Sequence, residues 1–419
     1  MNRERLRIWG AVCLIGLVLL IAAGTAGCTR GEPATSAVPS TAVPETTAAT
    51  QPPATVPPTT APAETEPPER VRARQILEEM TLEEKICQLF LVTHDQLAGV
   101  SGVTQSGPAT EAALGQYPVG GVIYFSPNLR SREQTAQMIA DLQSYSKLGL
   151  FVSVDEEGGI VTRLGQNRAM GVTDFPNMGV IGEDGDPAAA YEVGYTLGTE
   201  LAELGFNLDF APVADVDSNP KNPVIGARAF HSDPQIAASL VAACVEGFGD
   251  SGTLCTLKHF PGHGDTASDS HYGAVSVDKT LQELEECELL PFRAGIEVGA
   301  PCVMVGHISL PEVTNDTLPA TLSFEIVSCL LREQMGFEGL IITDSMSMQA
   351  ITDHYDSGEA AVMAIRAGVD VILMPQSLSG AIEGVREAVE NGELTEARID
   401  ESVLRILETK LRSGIIPME

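Results

Sequence analysis

The stretch KHFPGHGDTASDSH, Lys258 to His271, holds three of the chain's seven histidines and two aspartates among glycines and a proline. Residues of these types can bind a metal, cradle a phosphate or move protons. A catalytic metal is not expected: glycine and proline between His259 and His263 rule out the helix that would align the first two histidines, and a metal site needs ligands fixed at suitable spacing. The stretch also lacks the Gly-Lys-Ser/Thr of a phosphate-binding P-loop. Proton transfer remains. Histidine titrates near neutral pH, and in an extended loop Asp269, two residues before His271, shares its side, where a carboxylate orients the ring and stabilises its charged form. One histidine in a polar loop usually does no more than satisfy backbone groups; Lys258, His259, His271 and two aspartates together read as a site.

Other chemistry-bearing residues stand at the ends of apolar runs. Asp155 follows LFVSV, Asp215 follows FAPVA, His307 follows VMVG and Asp344 follows LIIT, while Lys258 and His259 follow LCTL. Eight runs have strand character: ICQLFLVT, GGVIYF, LGLFVSVD, FNLDFAPVAD, GTLCTLKHF, APCVMVGHI, GLIITD and GVDVILMP. Between them lie segments of helical periodicity, such as DPAAAYEVGYTLGTELAELG, which stops at Gly205, and SFEIVSCLLREQMG, which begins at a serine cap and ends at Gly336. Strands alternating with helices predict an α/β fold with a parallel sheet, and eight of them predict a single TIM-like (β/α)8 barrel. Polar residues at the C-terminal ends of several strands converge on one face of such a barrel, where active sites lie.

The chain is 419 residues long and is expected to divide into three parts. Residues 1–28 read as an export signal: Arg3, Arg5 and Arg7 precede an apolar run from Trp9 to Ala23, and small residues then lead to Cys28. That ending resembles a bacterial lipoprotein processing site, with Thr25 where an aliphatic residue is usual. Residues 29–69 collapse to Pro, Thr, Ala and Glu and are expected to form a disordered tether, which at roughly 3 Å per residue could extend about 120 Å. Residues 70–419 hold the catalytic barrel. A lipid anchor at Cys28 would place the protein on the outer face of a bacterial cell membrane, its only membrane contact. The net charge of −32 argues against nucleic acid as a partner. Of eight cysteines, six lie beyond residue 28, widely scattered without a C-x-x-C pair, and are expected to be buried free thiols. Oligomeric state is not readable.

KHFPGHG followed shortly by Asp-Ser-His resembles the signature of glycoside hydrolase family 3, in its β-N-acetylglucosaminidase branch. VDEEGGIVTRL, FNLDFAPVADVDSNPKNPVIGARAF and LPATLSFEIVSCLLREQMGFEGLIITDSMSM resemble further blocks of that family, so that the likeness spans about residues 75–410. It implies retaining exo-hydrolysis of terminal β-linked N-acetylglucosamine on a barrel, without cofactor or metal, from a glycan such as a peptidoglycan fragment. Asp344 would be the nucleophile and His271 the general acid/base with Asp269 as partner. Asp155, Arg163, Arg228, Lys258 and His259 would bind the terminal sugar. Arg163 and Arg228 rest on the motif alone. Other branches use a glutamate from a second domain, for which the chain leaves no room, so the acid/base is expected from the barrel's own loop.

The chemistry is consistent with that reading, since a retaining glycosidase needs a carboxylate at the anomeric carbon and a proton donor at the leaving oxygen. Gly262, Gly264 and Gly273 are expected to let the donor loop swing over bound sugar, with His263 and Asp265 bracing it. Glu156 stands where many relatives have Gln and Ile160 where some have Arg, which bears on fine specificity. Competing readings are a phosphorylase, for which a histidine donor could admit phosphate, a family 3 β-glucosidase or xylosidase, a non-catalytic glycan-binding lipoprotein and a metal hydrolase.

Overall fold

The computed structural model describes residues 66–419. The export signal, Cys28 and all but the end of the tether therefore lie outside the described residues. The first helix, Pro68–Glu79, starts two residues inside the stretch expected to be tether, with proline in its first turn, where the missing N–H costs nothing.

Strands β1 (Phe90–Thr93), β2 (Gly121–Ile123), β3 (Phe151–Val154), β4 (Leu208–Asp209) and β5 (Thr256–Phe260) precede β6 (Val275–Ser276), β7 (Cys302–Val305), β8 (Ile308–Ser309), β9 (Leu340–Thr343) and β10 (Ile372–Leu373). Five form a sheet in the order β10-β1-β2-β3-β4, and three form another in the order β5-β7-β9. Every pair in them is parallel, with Leu91 opposite Gly121, Ser153 opposite Leu208 and Val303 opposite Ile341. Isolated parallel bridges run from Leu208 to Leu254, from Val213 to Lys258 and from Ile342 to Val371. The architecture is an α/β fold with a curled parallel sheet.

All eight expected strands are present, though shorter than their apolar runs. In ICQLFLVT only the second half is strand, because Thr81 and Glu84 form a reciprocal cap that starts a helix, Leu82–Gln88, and carries Ile86 to Gln88 with it. The pair β6 and β8, two residues each, was not expected. Helix Pro187–Ala202 ends where foreseen: Gly205 turns left-handed (φ +95°), and the Phe206 N–H returns to Leu201 O at 3.1 Å. The Glu325–Gln334 segment is wider than an α-helix, with i→i+5 bonds such as Met335 N to Leu330 O at 2.9 Å, and its cap is displaced: Ser323 Oγ reaches Ile326 N at 3.4 Å. Helices surround the strands and bury one continuous apolar core. The six cysteines among the described residues are free, but only four are buried; Cys287 and Cys329 are partly exposed.

Candidate active site

The C-terminal ends of the strands surround a cavity of about 480 Å³, within the range of small-molecule sites. Asp155, Arg163, Arg228, Lys258, His259, His271 and Asp344 all line it. Asp269 is the one expected site residue outside the lining; it sits behind His271.

Asp344 follows β9, its backbone N–H bonded to Val305 O at 2.8 Å and one carboxylate oxygen accepting the Ser345 N–H at 2.7 Å. Burial alone would raise its pKa, but the imidazoles of His307 and His259, the Ser345 N–H and His271 outweigh it and hold the carboxyl below its ordinary value. His307 lies beneath, Nε2 donating to Ser345 O at 2.9 Å and Nδ1 against Thr321 Oγ1 at 2.8 Å. Burial, stronger than the nearby Asp344 charge, lowers the His307 pKa. The nucleophile candidate is thus an ionised carboxylate fixed by its own strand.

Across the cavity runs a charge network that sequence spacing could not show. Lys258, almost fully buried, places Nζ 2.8 Å from Asp155 Oδ1 and 2.5 Å from Glu157 Oε1. Arg228 grips Glu157 with Nε at 2.9 Å and Nη2 at 2.8 Å. Burial would raise the Glu157 carboxyl, yet Arg228 and Lys258 hold it well below the usual carboxylate range. Burial likewise works against the Lys258 charge, but Asp155 and Glu157 raise its pKa. Arg163 lies over the Phe125 ring at 5.4 Å, with Asp155 Oδ2 at 3.7 Å, and its buried Nε has no partner. His259 is held from behind by Asp215, Nδ1 to Oδ2 at 2.7 Å, which leaves Nε2 near Arg228 Nη2 at 3.4 Å. Glu157 and Asp215 are therefore site residues to which the sequence assigned no role; the only signal was the second glutamate of DEEGG and the strand-end position of Asp215.

Glu156 has a different task from its neighbours. Its buried carboxylate accepts the N–H groups of Arg163 at 2.7 Å, Leu164 at 2.8 Å and Gly165 at 3.0 Å, and the Thr162 hydroxyl. It positions the Arg163 loop and does not line the cavity. Ile160 is largely exposed.

The two residues of the expected proton-donor pair are in contact: His271 Nδ1 lies 2.8 Å from Asp269 Oδ1, which also accepts the His271 N–H at 2.9 Å. The pair arises from a tight turn, Ser270–Tyr272 capped by Asp269, and not from the extended loop expected. Burial would raise the Asp269 carboxyl, but its bonds to His271 and that residue's charge take it below the ordinary value. The loop base is locked. A Cβ at Gly264 would stand 1.6 Å from Val216 O, and Asn222 Nδ2 holds His263 O at 2.7 Å and Gly264 O at 3.0 Å. Gly262 is pressed against Glu288, so of the three expected hinges only Gly273, with open space around it, is free to move. His263 braces the loop through Ser270 Oγ at 3.0 Å and Thr266 Oγ1 at 2.8 Å, and Asp265 faces Lys279 at 3.3 Å.

A sequence profile described as the Glycosyl hydrolase family 3 N terminal domain matches residues 81–409. The chain belongs to glycosyl hydrolase family 3. It is 34% identical over 338 residues to Beta-hexosaminidase A of Pseudoalteromonas piscicida, covering 74% of this chain and 56% of that relative, so it spans little more than half of that protein. It is 36% identical over 288 residues to a Beta-hexosaminidase of Hydrogenovibrio crunogenus, covering 67% of this chain and 79% of the relative. Among solved structures it resembles a glycoside hydrolase family 3 beta-N-acetylglucosaminidase from Paenibacillus sp. str. FPU-7, with a TM-score of 0.75 and 39% identity over 80% of this chain and 63% of that one. In this family 3 chain the strand ends thus carry a carboxylate, a polar cradle and, on a separate loop, a histidine backed by a carboxylate.

Proposed function

We propose that this protein is a retaining exo-glycosidase that removes terminal, non-reducing β-linked N-acetylglucosamine from glycans, peptidoglycan fragments among them. The observation that carries the reading is the pairing, in one cavity, of an ionised strand-end carboxylate, Asp344, with a loop histidine whose Nδ1 is held by Asp269. Asp155, Arg163, Lys258 and His259 hold the terminal sugar, and Arg228 and Glu157 keep that cradle in register. As Asp344 attacks the anomeric carbon, the His271 imidazolium passes its Nε2 proton to the leaving oxygen. A glycosyl-aspartate forms. His271, now neutral with its proton on Nδ1, takes a proton from water at Nε2, and the hydroxide equivalent opens the intermediate with overall retention. The beta-hexosaminidase names of the relatives support the choice of sugar.

Release of p-nitrophenol from the β-N-acetylglucosaminide, with chelator present, tests this. The expected outcome is activity that survives chelation and falls on the order of 10⁴-fold in Asp344→Asn. An active Asp344→Asn would remove that carboxylate from the mechanism.

Two further parts belong to the same reading. The eight parallel strands close as one barrel, supported by the bridges that join β4 to β5 and β9 to β10 and by Thr256 N to Ala211 O at 2.7 Å and Thr343 N to Val371 O at 3.0 Å. Slow hydrogen exchange at those two amides is expected; rapid exchange would mean an open sheet. The protein is exported and held by a lipid on Cys28 at the outer face of the cell membrane, a reading supported by the sequence of residues 1–28 alone.

A further inference from the structure

We propose that Tyr272 forms the leaving-group subsite and selects aglycones that present a second pyranose ring, an inference that rests on the glycosidase reading above. Tyr272 is 80% exposed, more than any other large apolar or aromatic side chain among the described residues, and it lines the cavity. A single exposed aromatic needs no explanation in itself. This one directly follows His271 on a turn whose geometry is fixed: Tyr272 N–H returns to Asp269 O at 3.1 Å, and the buried Ser270 hydroxyl is tied to His263 at 3.0 Å. The His271 proton must reach the glycosidic oxygen, the atom shared by the departing group and the retained sugar. With Asp344 and the Asp155–Lys258 cradle engaged on the retained sugar, the side chain next to the donor at the cavity mouth lies on the departing side.

The chemistry of that rim fits a sugar ring. A pyranose offers a face of C–H groups, and an aromatic ring carries negative charge on its face, so the two stack at low entropic cost to a side chain with two torsions. The turn packs against the short helix Gln349–Thr352, which brings Met348 and the exposed Gln349 to the same cavity. The thioether supplies an adaptable apolar wall and the amide a donor and an acceptor for ring hydroxyls. Small alkyl aglycones reach none of these groups.

The test compares kcat/KM for the β-1,4-linked disaccharide of N-acetylglucosamine with that for methyl β-N-acetylglucosaminide, in the unaltered protein, Tyr272→Ala and Tyr272→Phe. The proposal predicts that the disaccharide-to-methyl ratio falls about fivefold to tenfold in Tyr272→Ala and is restored in Tyr272→Phe, because the ring and not the hydroxyl does the stacking. An equal fall on both substrates would assign Tyr272 to the shape of the turn and overturn the proposal, as would an unchanged ratio. Failure of the unaltered protein to cleave either compound would reject the glycosidase reading itself, a result distinct from both.

Discussion

Asp344 receives its support from the backbone of its own strand, whereas His271 depends on one neighbour, Asp269, in a turn that leaves the imidazole largely exposed. The first arrangement suits a group that must not move during attack, the second a group that meets substrate after the loop has settled. Replacing His271 by Ala is predicted to lower kcat on the disaccharide by about 10² to 10⁴. On the p-nitrophenyl substrate, whose leaving group needs little protonation, kcat/KM should fall far less. Added azide, a nucleophile that needs no general base, should recover turnover; equal losses on both substrates without recovery would remove His271 from proton transfer. Asp344 and His271 were legible as candidates because they stand in local patterns, a strand end and the Asp-Ser-His triplet, that resemble the family's blocks. Glu157 was not: its partners Arg228 and Lys258 lie far along the chain, and only folding brings the three charges together.

At the level of elements, apolar runs located all eight strands of the two larger sheets, since a strand buried on both faces is written in contiguous hydrophobic residues. What they could not show was where a cap would convert part of a run to helix, as Thr81 and Glu84 do, or two-residue strands such as β6 and β8. The Glu396–Arg412 helix illustrates a placement that periodicity does not give. It lies across the N-terminal ends of the strands: Ser402 Oγ meets Asp370 before β10 at 2.7 Å, and Lys410 meets Gln88 before β1 at 2.9 Å and the Phe151 ring of β3 at 5.0 Å. Lys410 is fully buried there, and burial takes its pKa from 10.5 down to about 7. Between those two values the unfolded chain holds a proton that the fold does not, so this group makes stability rise with pH from about 7 and imposes its full penalty below it. Lys410→Met is therefore predicted to raise the urea midpoint more at pH 6 than at pH 9. An equal shift at both would show that Lys410 is charged throughout.

For the molecule as a whole, the site and the start of the described chain lie at opposite ends of the strands. Helix Pro68–Glu79 packs on Glu396–Arg412, with Arg70 Nη1 3.5 Å from Glu408 Oε1, while the cavity opens at the C-terminal ends. A chain beginning at residue 66 is predicted to keep kcat/KM on the methyl glycoside within about twofold, while only the full-length protein sediments with membranes; membrane association of the shortened chain would contradict the anchor. The central claim, a covalent glycosyl-enzyme on Asp344, is tested most directly by trapping it. The protein would be incubated with a fluorinated N-acetylglucosaminyl fluoride, which forms the intermediate faster than it is hydrolysed, then digested and mapped by mass spectrometry. One sugar on the peptide that carries Asp344 is the predicted result; an unmodified Asp344 in protein that turns over substrate, or a sugar on another residue, would contradict the account.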